Sequence, residues 1–218
     1  MDGESLAQLT LSEFSARLAS DEPVPGGGSA SAIVGSFAAS LLAMVARLSL
    51  GRPKYEAYRR TNERALSTGD LGRRRLMELA EEDSQAYGAF AAARKLPRDT
   101  VEQQGVRDAA SRSAARAATE VPLAVVRECV RLLDEVATMV GRSNSNAASD
   151  LEVAARLSAA AARGAAANAL INLPMVGDES YAGVTRAAVT GMLEELDRTL
   201  GTISQSVSRG TLREPEPE

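Results

Sequence analysis

Proton transfer in this 218-residue chain has to be carried out without histidine, which is absent. That removes the side chain most used near neutrality and the commonest zinc and haem ligand. Acid–base chemistry is left to Asp, Glu, Lys, Tyr, Cys or the substrate itself. Four places carry polar groups that packing alone would not put there. The turn Pro25-Gly26-Gly27-Gly28-Ser29 leads directly into a helix start, where three glycines permit close approach of a ligand and free N–H groups favour an anion or a polarised carbonyl. A flexible turn explains the same residues, and they form neither a Walker loop nor a GxGxxG fingerprint.

The second place is a helical seam, Leu76, Ala80, Asp83, Tyr87, Phe90 and Arg94, with alternating spacings of four and three. Asp83 sits inside it and must be paired, hydrogen-bonded or kept protonated. A salt bridge to a neighbouring helix is one reading. The other is a general acid or base, or an anchor for a ring bearing N–H donors, with Tyr87 one turn along. At 100° per residue, Asn146, Asp150, Asn168 and Asn172 share one wedge of a later helix with Ala154, Ala161 and Gly164, while Glu152, Arg156 and Arg163 take the opposite face. They read as caps and a helix end, or as the wall of a groove for a flat polar ligand. Lastly, Arg52, Lys54 and Tyr55 put two cations and a phenol at a helix junction, a solvated turn or an anion site, which Arg47 extends towards the glycine turn.

The elements needed to hold these groups are helices. Roughly forty residues are alanine and aromatics make up 3%, a composition for closely packed helices. Thr10-Leu11-Ser12-Glu13 is a capping box for a short helix. A second helix is expected from Ser29 to Leu50, a third from Pro53 with a break at Gly69 and Gly72, and a fourth over 73–94. The Asp99–Glu102 capping signal opens one ending near Thr119, Pro122 starts another that closes at Gly141, and Ala147–Asn172 is stopped by Pro174. Asp178 caps a last helix reaching Ser206. No segment alternates like a half-buried strand, so the expectation is an all-α bundle of long antiparallel helices, one domain over 1–210, with a disordered tail at 211–218.

Net charge is −4 with no continuous basic stripe and no Trp, which argues against nucleic acid. The uncharged run Ser29–Ala46 reads as a buried helix rather than a membrane span. Lone Cys129 fits a reducing cytoplasm as a packed thiol, the start Met1-Asp2-Gly3-Glu4 lacks the features of a secretory signal, and no metal-ligand set is visible.

Five ordered blocks together carry a resemblance: Val24–Ala32, Gly51–Glu56, Asp83–Tyr87, Ser143–Asp150 and Ala167–Leu173. They resemble the cyclodeaminase/cyclohydrolase family over about residues 5–206. The resemblance implies a helical, cytoplasmic, dimer-forming enzyme acting on the one-carbon unit of tetrahydrofolate, with folate in a groove near the subunit interface and no other cofactor. Cyclodeaminases of the family close 5-formiminotetrahydrofolate to the 5,10-methenyl form with loss of ammonia; cyclohydrolases interconvert methenyl and 10-formyl forms. No formiminotransferase domain precedes the blocks, so no tethered source of formimino substrate is expected. Carried over onto this chain, the catalytic candidates are Asp83, Asp150 and Lys54. Arg52 and Lys54 are assigned to the glutamate part of folate or to proton donation. Asn144, Asn146, Asn168 and Asn172 are assigned to ring contacts, and Pro25, Gly26, Gly27, Gly28, Ser29, Ser31, Tyr55 and Tyr87 complete the substrate-binding set. The alternative is a folate-binding or scaffold protein whose small-residue faces serve only oligomerisation.

Overall fold

The computed structural model describes residues 5–216; Met1–Glu4 and Pro217–Glu218, on which the leader and part of the tail expectation fall, lie outside them. Six α-helices form an all-α bundle: α1 (Leu11–Leu18), α2 (Gly27–Ser49), α3 (Arg59–Arg94), α4 (Val101–Met139), α5 (Ala148–Val176) and α6 (Glu179–Arg209). Short 3-10 turns at Pro53–Tyr58 and Ser145–Ala147 lead into α3 and α5. The signals at Thr10 and Asp178 act as read, while the one expected at Asp99–Glu102 is displaced by one residue, to Thr100 and Gln103. Thr10 and Glu13 close a reciprocal box on α1, Thr100 and Gln103 do the same on α4, and Asp178 accepts from the Tyr181 N–H to start α6.

Three expected breaks are absent. Gly69 and Gly72 lie inside a continuous α3, where they let helices touch: a Cβ on Gly69 would stand 2.7 Å from the Ala39 carbonyl oxygen, and one on Gly72 would stand 3.1 Å from Leu132 Cδ2. The helix accepts glycine at a cost of about 1 kcal/mol each, and the neighbouring backbones gain close packing. Pro174 does not end α5, which runs on to Val176 and stops at Gly177 in the left-handed conformation.

Pro122 does not start a helix but sits buried within α4. It lacks the N–H that would bond to the carbonyl four residues back. That carbonyl, on Ala118, accepts instead from Asn172 Nδ2 of α5 at 2.8 Å. Asn172→Ala is therefore expected to cost about 1–3 kcal/mol by leaving the carbonyl bare. Adding Pro122→Ala supplies a backbone donor, so the double variant should recover at least about 1 kcal/mol in urea unfolding; additive losses would refute the link.

Buried alanines on α2 to α5, such as Ala32, Ala39, Ala65, Ala115, Ala154 and Ala162, allow the backbones to approach around larger groups including Leu42, Leu76, Leu133 and Val126. Cys129 is fully buried there, its thiol pushed up to about 12 by burial. Helix α2 is long and apolar enough to cross a membrane, yet 67% of its most apolar stretch is buried inside the bundle. Residues 211–216, whose composition reads as disorder, are laid along the bundle. The Arg213 N–H donates to Gly141 O (2.8 Å), Tyr58 Oη donates to Arg213 O (2.9 Å), and Glu216 receives Thr61 and Arg64.

Candidate active site

Helices α2 and α5 run antiparallel. Gly27 faces Asn168 and Gly164 faces Ser31, whereas the far end of α2 meets the start of α5 through Asn144. This arrangement sorts the sequence-derived residues into two groups at opposite ends of the bundle. From Ser29 to Ser49 the separation along α2 is about 30 Å, and from Asp150 to Asn168 along α5 about 27 Å.

At one end a cleft of about 250 Å³ is lined by Pro23, Val24, Gly26–Gly28, Asp83, Tyr87, Phe90, Ala115, Ala118, Asn168, Ile171, Asn172 and Met175. Asp83 is its one ionisable carboxyl. The carboxyl lies so close to Gly28 that any Cβ there would overlap it, and Ser29 Oγ stands 2.9 Å from Asp83 Oδ2, within reach also of Ala80 O (3.0 Å) and Ser84 Oγ (3.1 Å). Burial pushes the Asp83 carboxyl above the usual carboxylate range, while hydrogen bonds from the Ser29 side chain and backbone pull it partly back. Among the described residues no cation pairs with it, so the salt-bridge reading of this seam residue is corrected: the seam is filled at Leu76 and Ala80, which are buried, and open from Tyr87 outwards, which is 44% exposed.

The other members of this end divide by what already occupies them. Ser31 Oγ donates to Gly27 O at 2.7 Å and steadies the first turn of α2. Pro25 is buried behind a cis Val24–Pro25 bond, and Asn172 is tied to Ala118. Asn168, its Nδ2 3.1 Å from where a Cβ on Gly27 would stand, and Tyr87 border the open space.

At the opposite end Tyr55 is buried, its hydroxyl accepting from the Ser145 N–H at 3.1 Å and lying 3.2 Å from Ser145 Oγ. Those two Ser145 contacts pull its phenol below the ordinary value. Lys54 Nζ sits 5.4 Å from the Tyr55 ring centre, and Arg52 and Lys54 are exposed. Asn144 is buried; its side chain donates to Leu48 O at 3.3 Å and accepts from the Asn146 N–H at 3.1 Å, which joins the end of α2 to the start of α5. Asp150 is half-buried in the first turn of α5, and Asn146 is exposed. Arg47 is taken up by Asp70 at 2.6 Å. Within one chain, then, Asp83 and the pair Lys54 and Asp150 do not meet.

Phe90, Ile171 and Met175 went unread as site residues. Phe90 belonged to the seam and looked like core. Ile171 is 72% exposed at the end of an apolar helix, and nothing in the residue type marks it out.

The formiminotransferase-cyclodeaminase family profile matches residues 10–190. The chain belongs to the formiminotransferase-cyclodeaminase family. Among its relatives is the methenyltetrahydrofolate cyclohydrolase of Methylorubrum extorquens, 34% identical over 186 residues that cover 85% of this chain and 89% of that one. The formimidoyltransferase-cyclodeaminase of Sus scrofa is 31% identical over 88% of this chain, which spans 36% of that protein's length. The crystal structure of formiminotetrahydrofolate cyclodeaminase from Thermotoga maritima superposes with a TM-score of 0.77 at 29% identity, covering 94% of this chain and 96% of that one. The family resemblance of the five sequence blocks and the expected bundle are thus both met.

Proposed function

We propose that this chain is a one-carbon enzyme of tetrahydrofolate in the cytoplasm, and that its reaction is hydrolysis of the 5,10-methenyl form to the 10-formyl form. The observation that carries the reading is the cleft itself: apolar walls, the amides of Asn168 and Asn172, and a single partly desolvated carboxyl, Asp83 of α3, set against the first turn of α2. A flat cationic substrate suits such a wall, and a carboxylate beside it stabilises the positive bridge carbon.

In that reaction ionised Asp83 takes a proton from water as the oxygen adds to the bridge carbon. The protonated carboxyl then returns a proton to N5 as the carbon–N5 bond breaks, and the hydroxyl proton of the adduct leaves to solvent as the formyl carbonyl forms. The net release is one proton, and the chemistry calls for no cofactor beyond the folate.

The second reading, cyclodeaminase, is favoured by the upward shift of Asp83, since a carboxyl that holds its proton can protonate departing ammonia. Side-by-side assays separate the two readings: loss of methenyl absorbance well above the spontaneous rate marks a cyclohydrolase, and ammonia from the formimino substrate marks a cyclodeaminase. Folate binding without either reaction would leave a non-catalytic folate protein.

A homodimer unites the two ends. On α2 the outward residues Val34, Phe37, Leu41, Met44 and Leu48 follow spacings of three and four, and Val153, Leu157, Ala160, Gly164 and Ala167 do the same on α5. Phe37 and Met44 are 42% and 37% exposed. A two-fold axis through this uncharged face pairs the helices antiparallel, carrying Lys54 and Asp150 of a second copy to the Asp83 cleft. Asp83→Asn and Lys54→Ala, each inactive alone, should then regain about a quarter of wild-type activity on mixing and subunit exchange, since half the dimers carry one intact site. No recovery despite exchange would place both groups in separate sites.

A further inference from the structure

Helix α3 carries four side chains in succession on the face that borders the cleft and its mouth. Asp83, Tyr87 and Phe90 line the cleft, and Arg94 lies one turn beyond, its guanidinium carbon 5.8 Å from the Phe90 ring centre. Asp83 to Arg94 is about three turns, or roughly 16 Å of helix. The order along that length is carboxyl, phenol, phenyl ring, guanidinium. Across the cleft stand Ile171 and Met175, both exposed apolar groups. Among the described residues Arg94 has no ion pair, whereas nearby Arg116 faces Asp178 at 3.9 Å and stacks on Tyr181, and Arg163 is paired with Asp197.

We propose that Arg94 is the specificity residue for the anionic tail of the substrate, receiving a carboxylate of the glutamate while Phe90 and Tyr87 hold the aminobenzoyl ring between themselves and Ile171 and Met175. The inference rests on the folate reading and moves the tail away from Arg52 and Lys54: the dimer proposed above brings Lys54 of a second copy to the Asp83 end of the cleft, whereas Arg94 stands about three turns further along α3. The contact with Phe90 holds the guanidinium beside the ring, and a cation–π contact uses none of its N–H donors, which are left for a planar carboxylate. An ion pair at the mouth of a partly desolvated cleft acts on binding and stands clear of the bridge carbon at Asp83, so its effect belongs in KM rather than kcat.

The test compares 5,10-methenyltetrahydrofolate with the methenyltetrahydropteroate that lacks glutamate. Wild-type KM should be about 10- to 100-fold lower for the folate. Arg94→Ala should erase most of that preference by raising KM for the folate alone, with kcat within about threefold and the pteroate constants unchanged. Arg94→Lys, which keeps charge but not the planar fork, should recover part of the preference. A preference that survives Arg94→Ala, or an equal loss with both substrates, overturns the proposal. Calorimetric binding of 5-formyltetrahydrofolate and 5-formyltetrahydropteroate reads the same preference without turnover. Arg94-dependent binding without catalysis would sink the enzyme reading and spare this one; no binding of either ligand would sink both.

Discussion

Asp83→Asn is expected to lower turnover of the methenyl substrate by about 10²- to 10⁴-fold while leaving the bundle folded. The amide keeps the size of the group beside Gly28 and can still accept from Ser29, but it neither takes nor returns a proton. Because burial raises the Asp83 carboxyl, the acid limb of kcat/KM should lie above the ordinary carboxylate range. Ser29→Ala removes a hydrogen bond that favours the ionised form, so it should move that limb to still higher pH. Stability follows the same sign. A carboxyl whose pKa is higher folded than unfolded contributes fully when protonated, below the unfolded value, and that contribution is lost as pH rises through the folded one. Asp83→Asn should thus melt at or above the wild-type temperature at neutral pH, with the gap closing in acid. Normal turnover would remove Asp83 from the chemistry, and earlier melting at neutral pH would refute the burial cost of its carboxylate.

Gly69→Val is expected to be the most damaging single change to the fold. The added Cβ would stand 2.7 Å from the Ala39 carbonyl oxygen and 2.9 Å from both Ala43 Cβ and the Ala43 backbone nitrogen, and a backbone cannot swing aside as a side chain does. Helices α2 and α3 must separate, at a cost of about 3 kcal/mol or more, which lowers the melting temperature by roughly 6–12 °C in a chain of this size. Activity should fall with it, since Asp83 on α3 and Ser29 on α2 meet only when the two helices dock. Gly88→Ala, on the same helix but facing open space, should be neutral or stabilising by up to about 1 kcal/mol. Equal effects of the two changes would show that helix propensity, not contact, governs α3.

The Thr10 capping box, the all-α class and the inward position of Asp83 were legible because each is a local rule: a hydroxyl before an amide, a period of 3.6, a carboxyl in an apolar seam. What proved illegible needed a second helix. Gly69 breaks an isolated helix but seals this one, because Ala39 lies against it. Pro122 frees a carbonyl that a distant asparagine takes, so the same Asn172 read as a ring contact is committed to the scaffold. Asp150 and Asn168 share a wedge of α5, whereas Asn146 falls in the 3-10 turn before it; angular position fixes a face and leaves height along the axis unstated. That height is what divides the polar residues between two ends of the bundle.

Since the cleft draws its walls from α2, α3, α4 and α5, an occupant acts as a splint across four helices, added to the alanine and leucine contacts that hold them together. A ligand present at a hundred times its dissociation constant adds about 2.7 kcal/mol to the folded state. Heat resistance alone can therefore rank stable one-carbon folates at the cleft, including analogues that undergo no turnover.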